Sequence, residues 1–182
     1  MNTQRSIETF LEAATSAGWR IERRNDDEPL DLPVDVTQRY RSVPQSYLAF
    51  LCKVAGAASA DGRAWFLCET QFHPSDPEGF AWNEIERMAL ESAADETERQ
   101  TITSFWDRHL PIVMVPDGDY DYLAIALPEG AVVHGCAPEW EEVDRVADSF
   151  EDWLSMLAKA LLEPDSSSSK PFALRLACSR RQ

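Results

Sequence analysis

Ile7, Phe10, Leu11 and Ala14 recur at helical spacing, which predicts a helix from about Thr3 to Ala17 with Gly18 as its stop. From Glu22 to Pro33 the chain is charged and carries two prolines, and it reads as a loop. A second helix is expected to begin at Pro44, because the amide that proline lacks would be unpaired in a first helical turn. Tyr47, Phe50, Leu51 and Val54 give it one apolar face, and Gly56 ends it. After an Asp61-Gly62 turn, Ala64 to Glu69 reads as a strand, and His73 to Gly79, with its two prolines, as a loop. Asn83 with Glu86 three residues on has the spacing of a capping box for a short helix containing Ile85, Met88 and Ala89. A further helix is predicted from about Asp95 to His109, carrying Ile102, Phe105 and Trp106.

Beyond this point the period changes. Pro111 to Val115 is a short apolar strand, Pro116-Asp117-Gly118 a turn, and Tyr120 to Leu127 a second strand, which together read as a hairpin. Pro128 to Gly130 turns the chain again, and Ala131 to Gly135 gives a third strand. Consecutive strands joined by short turns favour antiparallel pairing. The last helix starts at Ser149, placed to cap it with Asp152 in the reciprocal position. Phe150, Trp153, Leu154, Leu157 and Leu161 form its buried stripe, and Glu163-Pro164 stops it. The expected fold is α+β, a central and largely antiparallel sheet flanked by helices, in a single domain over residues 1–164. Residues 165–182 read as a serine linker followed by a basic tail with Arg175, Arg180 and Arg181, expected to be peripheral.

At 182 residues and 44% hydrophobic content, the chain can bury the core of one such domain. It has no uninterrupted apolar run of about 18 residues and no apolar segment behind a basic start, so the expected location is the cytoplasm. Cys52, Cys68, Cys136 and Cys178 lie far apart without metal-ligand spacing, as reduced thiols would. The formal net charge of −15 changes the picture most. A chain this acidic repels nucleic-acid phosphates and anionic lipid surfaces, and attracts a basic protein surface. The same acidity also serves plain solubility.

Little in the chain has the spacing of catalytic or metal chemistry. His73, His109 and His134 have no His or Cys neighbour at ligand spacing, and neither a metal nor a cofactor is expected. Asp117-Gly118-Asp119-Tyr120-Asp121 resembles the start of a calcium loop. However, Tyr122 stands where the sharp turn needs glycine, and Pro128 where a bidentate glutamate belongs. No Gly-x-Ser-x-Gly elbow or phosphate-binding glycine loop occurs, and Ser149 is accounted for as a helix cap. The candidate site is therefore a docking surface. Between Asp117 and Asp152 the only lysine or arginine is Arg145, while Glu139-Trp140-Glu141-Glu142-Val143-Asp144 sets a tryptophan among carboxylates. The candidate partner-binding residues are Asp117, Asp119, Tyr120, Asp121, Glu139, Trp140, Glu141, Glu142 and Asp144. Trp140 either anchors a partner or folds back onto the sheet.

Three segments carry a family resemblance. Val43-Pro44-Gln45-Ser46-Tyr47-Leu48-Ala49-Phe50-Leu51 resembles the proline-started helix of the SUKH superfamily, which includes fungal cell-wall assembly regulators and bacterial toxin-immunity proteins. His109-Leu110-Pro111-Ile112 with Pro116 to Ile125 is similar to its Asp-Gly hairpin, and Val146 to Leu154 to its Ala-x-Ser-Phe-x-x-x-Leu helix start. The hairpin lacks the second glycine, Ala126 and Leu127 replace a frequent acidic residue, and the helical insert from Asn83 to Arg108 is long. The resemblance implies a helix-flanked antiparallel sheet and a non-catalytic binding role, in bacterial members the neutralisation of toxins that are often nucleases. It leads to the expectation of an immunity protein whose partner is a basic toxin domain. The alternative is a regulatory scaffold or small-ligand sensor.

Overall fold

The computed structural model describes residues 3–25, 27–73, 80–116 and 120–162. The predicted serine linker and basic tail, most of the His73–Gly79 loop, and Asp117 and Asp119 lie outside the described residues. The first helix, α1 (Thr3–Ser16), falls where its apolar spacing predicts, and Gly18 takes the left-handed φ of 80° that reverses the chain after it. The next two elements depart from expectation. Arg20–Arg23 is a strand, β1, whose last two residues fall in the segment read as a loop, and Val54–Ala58 is its antiparallel partner, β2. The helix from Gln45 to Leu51 (α3) ends before Val54, which belongs to the sheet instead. Pro44 stands one place ahead of that helix as its N-cap, with φ −59° and ψ 137°, and its carbonyl accepts from the Tyr47 and Leu48 amides. β1 and β2 were hidden because Arg-Ile-Glu-Arg and Val-Ala-Gly-Ala-Ala have few of the branched and aromatic residues by which strands are recognised.

Further along, β3 is only Trp65–Phe66, although Leu67 still donates to the Ile112 carbonyl at 2.9 Å. Glu69, expected in that strand, instead opens a one-turn helix, α4 (Glu69–Phe72). A short helix before α3, α2 (Val34–Arg39), was not anticipated. In α5 (Glu84–Ser92) the expected capping box does not form: Asn83 makes no side-chain cap, and Glu86 is held by Arg39. Asp95 does cap α6 (Glu96–Trp106), accepting from the Glu98 amide at 2.9 Å, but the helix stops three residues early because His109 begins the next strand. β4 (His109–Val115), β5 (Asp121–Ala126) and β6 (Ala131–Gly135) follow as predicted to within two residues. An unpredicted strand, β7 (Asp144–Ala147), follows the acidic loop. Ser149 caps α7 (Phe150–Leu162), accepting from the Asp152 amide at 3.1 Å while its hydroxyl donates to the Asp152 carboxylate.

The seven strands of the described residues form one antiparallel meander in chain order, β1 to β7, in line with the α+β reading. Side chains alternate between its faces. Leu110, Ile112, Leu123, Ile125 and Val132 join the core beneath α1, α3 and α7, while Met114, Tyr122, Ala124 and Val133 join a second core with α5 and α6. Helices therefore cover both faces of β4–β6, whose residues are almost all buried. The three segments that carried the family resemblance meet in the first core: the Phe150 ring lies 5.2 Å from Tyr47 and 5.6 Å from Phe50, and Ile112 and Ile125 belong to the same cluster. Large aromatics at such positions cost about 3–5 kcal/mol when truncated to alanine.

Candidate functional site

β5, the β6–β7 connection and β7 bring those predicted docking residues that the structure describes to one corner of the sheet, and the strand register sorts the ones on β5 and β7 between its faces. His134 lies opposite both Leu123 and Asp144. Asp121, two residues before Leu123, projects from the same face, the one that carries α1 and α7. His134 Nε2 is 2.7 Å from Asp121 Oδ1, the imidazole N–H donating to the carboxylate, and only 6% of the His134 side chain is exposed. Asp121 is thus engaged by a buried partner within the domain.

Trp140 lies on the opposite face. It is buried against Tyr122 in the second core, and its carbonyl accepts the Tyr122 hydroxyl. The tryptophan folds back onto the sheet, which removes it as an exposed anchor. Its neighbour Glu141 is half-buried, with one carboxylate oxygen enclosed and without a hydrogen-bond partner among the described residues. Burial pushes that carboxyl above its ordinary range, and the nearby charge of Glu98 on α6 adds to the shift. Glu139, Glu142 and Asp144 are exposed, with the Glu142 amide closing a turn on the Glu139 carbonyl at 3.0 Å. Arg145 pairs with Asp148 at 3.0 Å.

Tyr120 completes the corner. It is 43% exposed, stands edge-on to Trp140 at 6.3 Å between ring centroids, and has a left-handed φ of 49°. A bulky L-residue adopts that conformation at a cost of roughly 1–2 kcal/mol. The corner thus consists of an exposed tyrosine seated on a buried tryptophan, with exposed carboxylates on the adjoining loop and strand. The acidic residues wrap around the end of the sheet instead of sharing one face. Sequence spacing could not show this, because β7 was not recognised and with it the register that sorts the faces.

The other ionisable groups in the interior are engaged in structure. The Tyr40 and Tyr47 hydroxyls donate to the Trp106 and Leu67 carbonyls at 3.0 and 2.8 Å. Burial pushes the Cys68 thiol up to about 12, leaving almost no thiolate at neutral pH. Arg39 holds both oxygens of Glu86, at 2.5 and 2.7 Å, and Asp107 at 2.8 Å, tying α2 to α5 and the end of α6. His109 stacks on Phe105 at 3.9 Å. Among the described residues no three His, Cys, Asp or Glu side chains converge as a metal site, and no helix is long and apolar enough to cross a membrane.

The profile of the SMI1 / KNR4 family (SUKH-1) matches residues 36–156, from α2 into α7. The chain belongs to that family. No curated protein and no solved structure matches it significantly. The SUKH-1 match covers β2 to β7 and includes the whole acidic corner, whereas α1 and β1 precede it.

Proposed function

We propose that this SUKH-1 domain is a non-catalytic immunity protein that neutralises a toxin with a basic surface, docking through Tyr120, Glu139, Glu142 and Asp144 at the β5–β7 corner. The observation that carries the reading is the exposed, conformationally strained Tyr120 braced on Trp140 in a region poor in cations. Strain at an exposed aromatic is retained where it serves recognition. Carboxylates around such an anchor would steer a cationic partner into contact and exclude an anionic one. A nuclease toxin fits this description, because a surface that holds phosphates is basic. Asp121 supports the corner from within through His134. The engagement of the interior tyrosines, thiol and ion pairs in structure, together with family membership, favours binding over catalysis. The thiols of Cys52, Cys68 and Cys136 are compatible with a cytoplasmic location.

The test begins with co-purification from the native host, followed by association kinetics with the captured toxin across a salt series. The triple variant Glu139→Lys, Glu142→Lys, Asp144→Lys should slow association at least tenfold at low salt and flatten the salt dependence. Tyr120→Ala should raise the dissociation rate. Association rates and salt slope equal to the parent's in the triple variant would overturn the proposed surface.

A second reading, a regulatory scaffold or small-ligand sensor, is favoured by one observation: a cleft of about 220 Å³ over β1–β3, on the part of the sheet that α5 and α6 leave bare.

A further inference from the structure

One row of opposed residues crosses the second sheet face, from Arg20 through Ala58, Trp65, Met114 and Tyr122 to Gly135. At its far end Tyr122 fills the space above Gly135, and Trp106 of α6 packs against Tyr122 with ring centroids 5.1 Å apart. At its near end the helical cover stops at Trp65, which is only partly buried. Beyond Trp65 the floor is Gly56 and Ala58, without bulk to fill it, and the 220 Å³ cleft lies there.

The charges around this cleft distinguish it from the pocket between α5 and α6. In that pocket Glu86 holds Arg39, Arg87 holds Glu84 and Glu91, and Arg99 donates to the Leu90 carbonyl at 2.7 Å, so its charged groups are satisfied from within. In the β1–β3 cleft, Arg20 and Glu22 project from one face of β1, roughly 6.6 Å apart at two strand residues. The Glu22 carboxylate reaches over the floor, with Oε2 3.1 Å from where a Cβ on Gly56 would stand. Arg20 Nη2 lies near Gly62 in the β2–β3 turn. Neither charge has an ion-pair partner among the described residues. Thr70 and Gln71 of α4 line another wall.

We infer that this cleft binds a free α-amino acid with an apolar side chain. A cation and an anion side by side along β1 at the cleft suit a zwitterion: the guanidinium fork takes the α-carboxylate and Glu22 takes the α-ammonium. Trp65 then offers its partly exposed ring to the side chain. A space of about 220 Å³ has room for a ligand of amino-acid size. The proposal deepens the sensor reading and rests on no residue of the acidic corner. Because β1 precedes the family match, both charged contacts come from outside it.

The test is thermal shift and calorimetry on the full chain with L-leucine and L-phenylalanine as probes. Each should raise Tm by about 2–4 °C at concentrations well above its Kd. N-acetyl-leucine, without the ammonium, and leucinamide, without the carboxylate, should each bind at least tenfold more weakly. Arg20→Gln and Glu22→Gln, both at exposed positions and folded as the parent by circular dichroism, should each lose tenfold or more. Ala58→Leu should abolish binding by filling the floor. No shift with either probe, or leucine binding unchanged in both charge variants, overturns the proposal. The corner triple variant should bind leucine like the parent, so a failed corner and a failed cleft are told apart.

Discussion

The two ends of the sheet are built from the same antiparallel ladder and differ in what covers them. β4, β5 and β6 lie between two helical layers and consist of nearly continuous apolar runs, as strands buried on both faces do. β1 and β2 rest on α1 and α3 by one face only, and their other face carries Arg20, Glu22, Gly56 and Ala58. The closed end supplies rigidity on which the acidic corner is mounted. The open end leaves a surface where charges are not satisfied from within. Cover, not strand pairing, distinguishes the two ends.

This contrast is testable with a pair of matched substitutions and two further variants. Gly135→Ala at the closed end should be the most damaging, because its Cβ would stand 2.5 Å from the Tyr122 hydroxyl oxygen and within 2.7 Å of the ring. Tyr122 is fully buried and cannot yield cheaply, so chemical denaturation should show a loss of about 3 kcal/mol. Tyr122→Phe should cost about 1–2 kcal/mol in the same measurement, since the buried Trp140 carbonyl loses its donor.

Glu141→Gln should be milder and pH-dependent. Because burial and Glu98 raise the Glu141 pKa in the folded state, the folded chain favours the protonated form. The stability linked to that proton is present below the ordinary carboxylate pKa and is lost as pH rises through the raised value. Discounted for partial exposure, Glu141→Gln should therefore stabilise by a few tenths of a kcal/mol up to about 1 kcal/mol at pH 7. Denaturation curves of variant and parent should converge toward pH 4. Gly56→Ala at the open end should change stability by less than about 0.5 kcal/mol, because the Glu22 carboxylate tip can swing aside and alanine restricts the unfolded chain. Equal losses at Gly56 and Gly135 would erase the distinction between the two ends.

The same contrast explains what could be read from the chain. Doubly covered strands announce themselves through runs such as Leu110 to Val115 and Tyr122 to Ile125, and helices through the spacing of Ile7, Phe10 and Leu11 or of Trp153, Leu154 and Leu157. β1 and β2 gave no such signal, because one bare face asks for no apolar residue and Gly56 looks like a helix ending. β7 was concealed by the acidic residues before it, since only Val146 and Ala147 turn inward. The acidic corner was legible as composition, and its geometry was not. Asp121 and Asp144 point to one face and Trp140 to the other, a division set by register with β6 and not by distance along the chain. Glu86 shows the same limit, having the spacing of a cap and the partner of an ion pair.

The first helix and the last lie against each other: α1 packs along α7, and the Thr3 hydroxyl donates to Glu151. During synthesis the meander can pair strand by strand as it leaves the ribosome, and Phe10 can meet Trp19, Phe50 and Phe66 early, yet the side of α1 that packs on α7 stays uncovered until that helix emerges. The nascent chain therefore keeps an apolar stripe of α1 uncovered until α7 is made, and ribosome-bound chains stopped before residue 150 should recruit chaperones that release once residue 162 has cleared the exit tunnel.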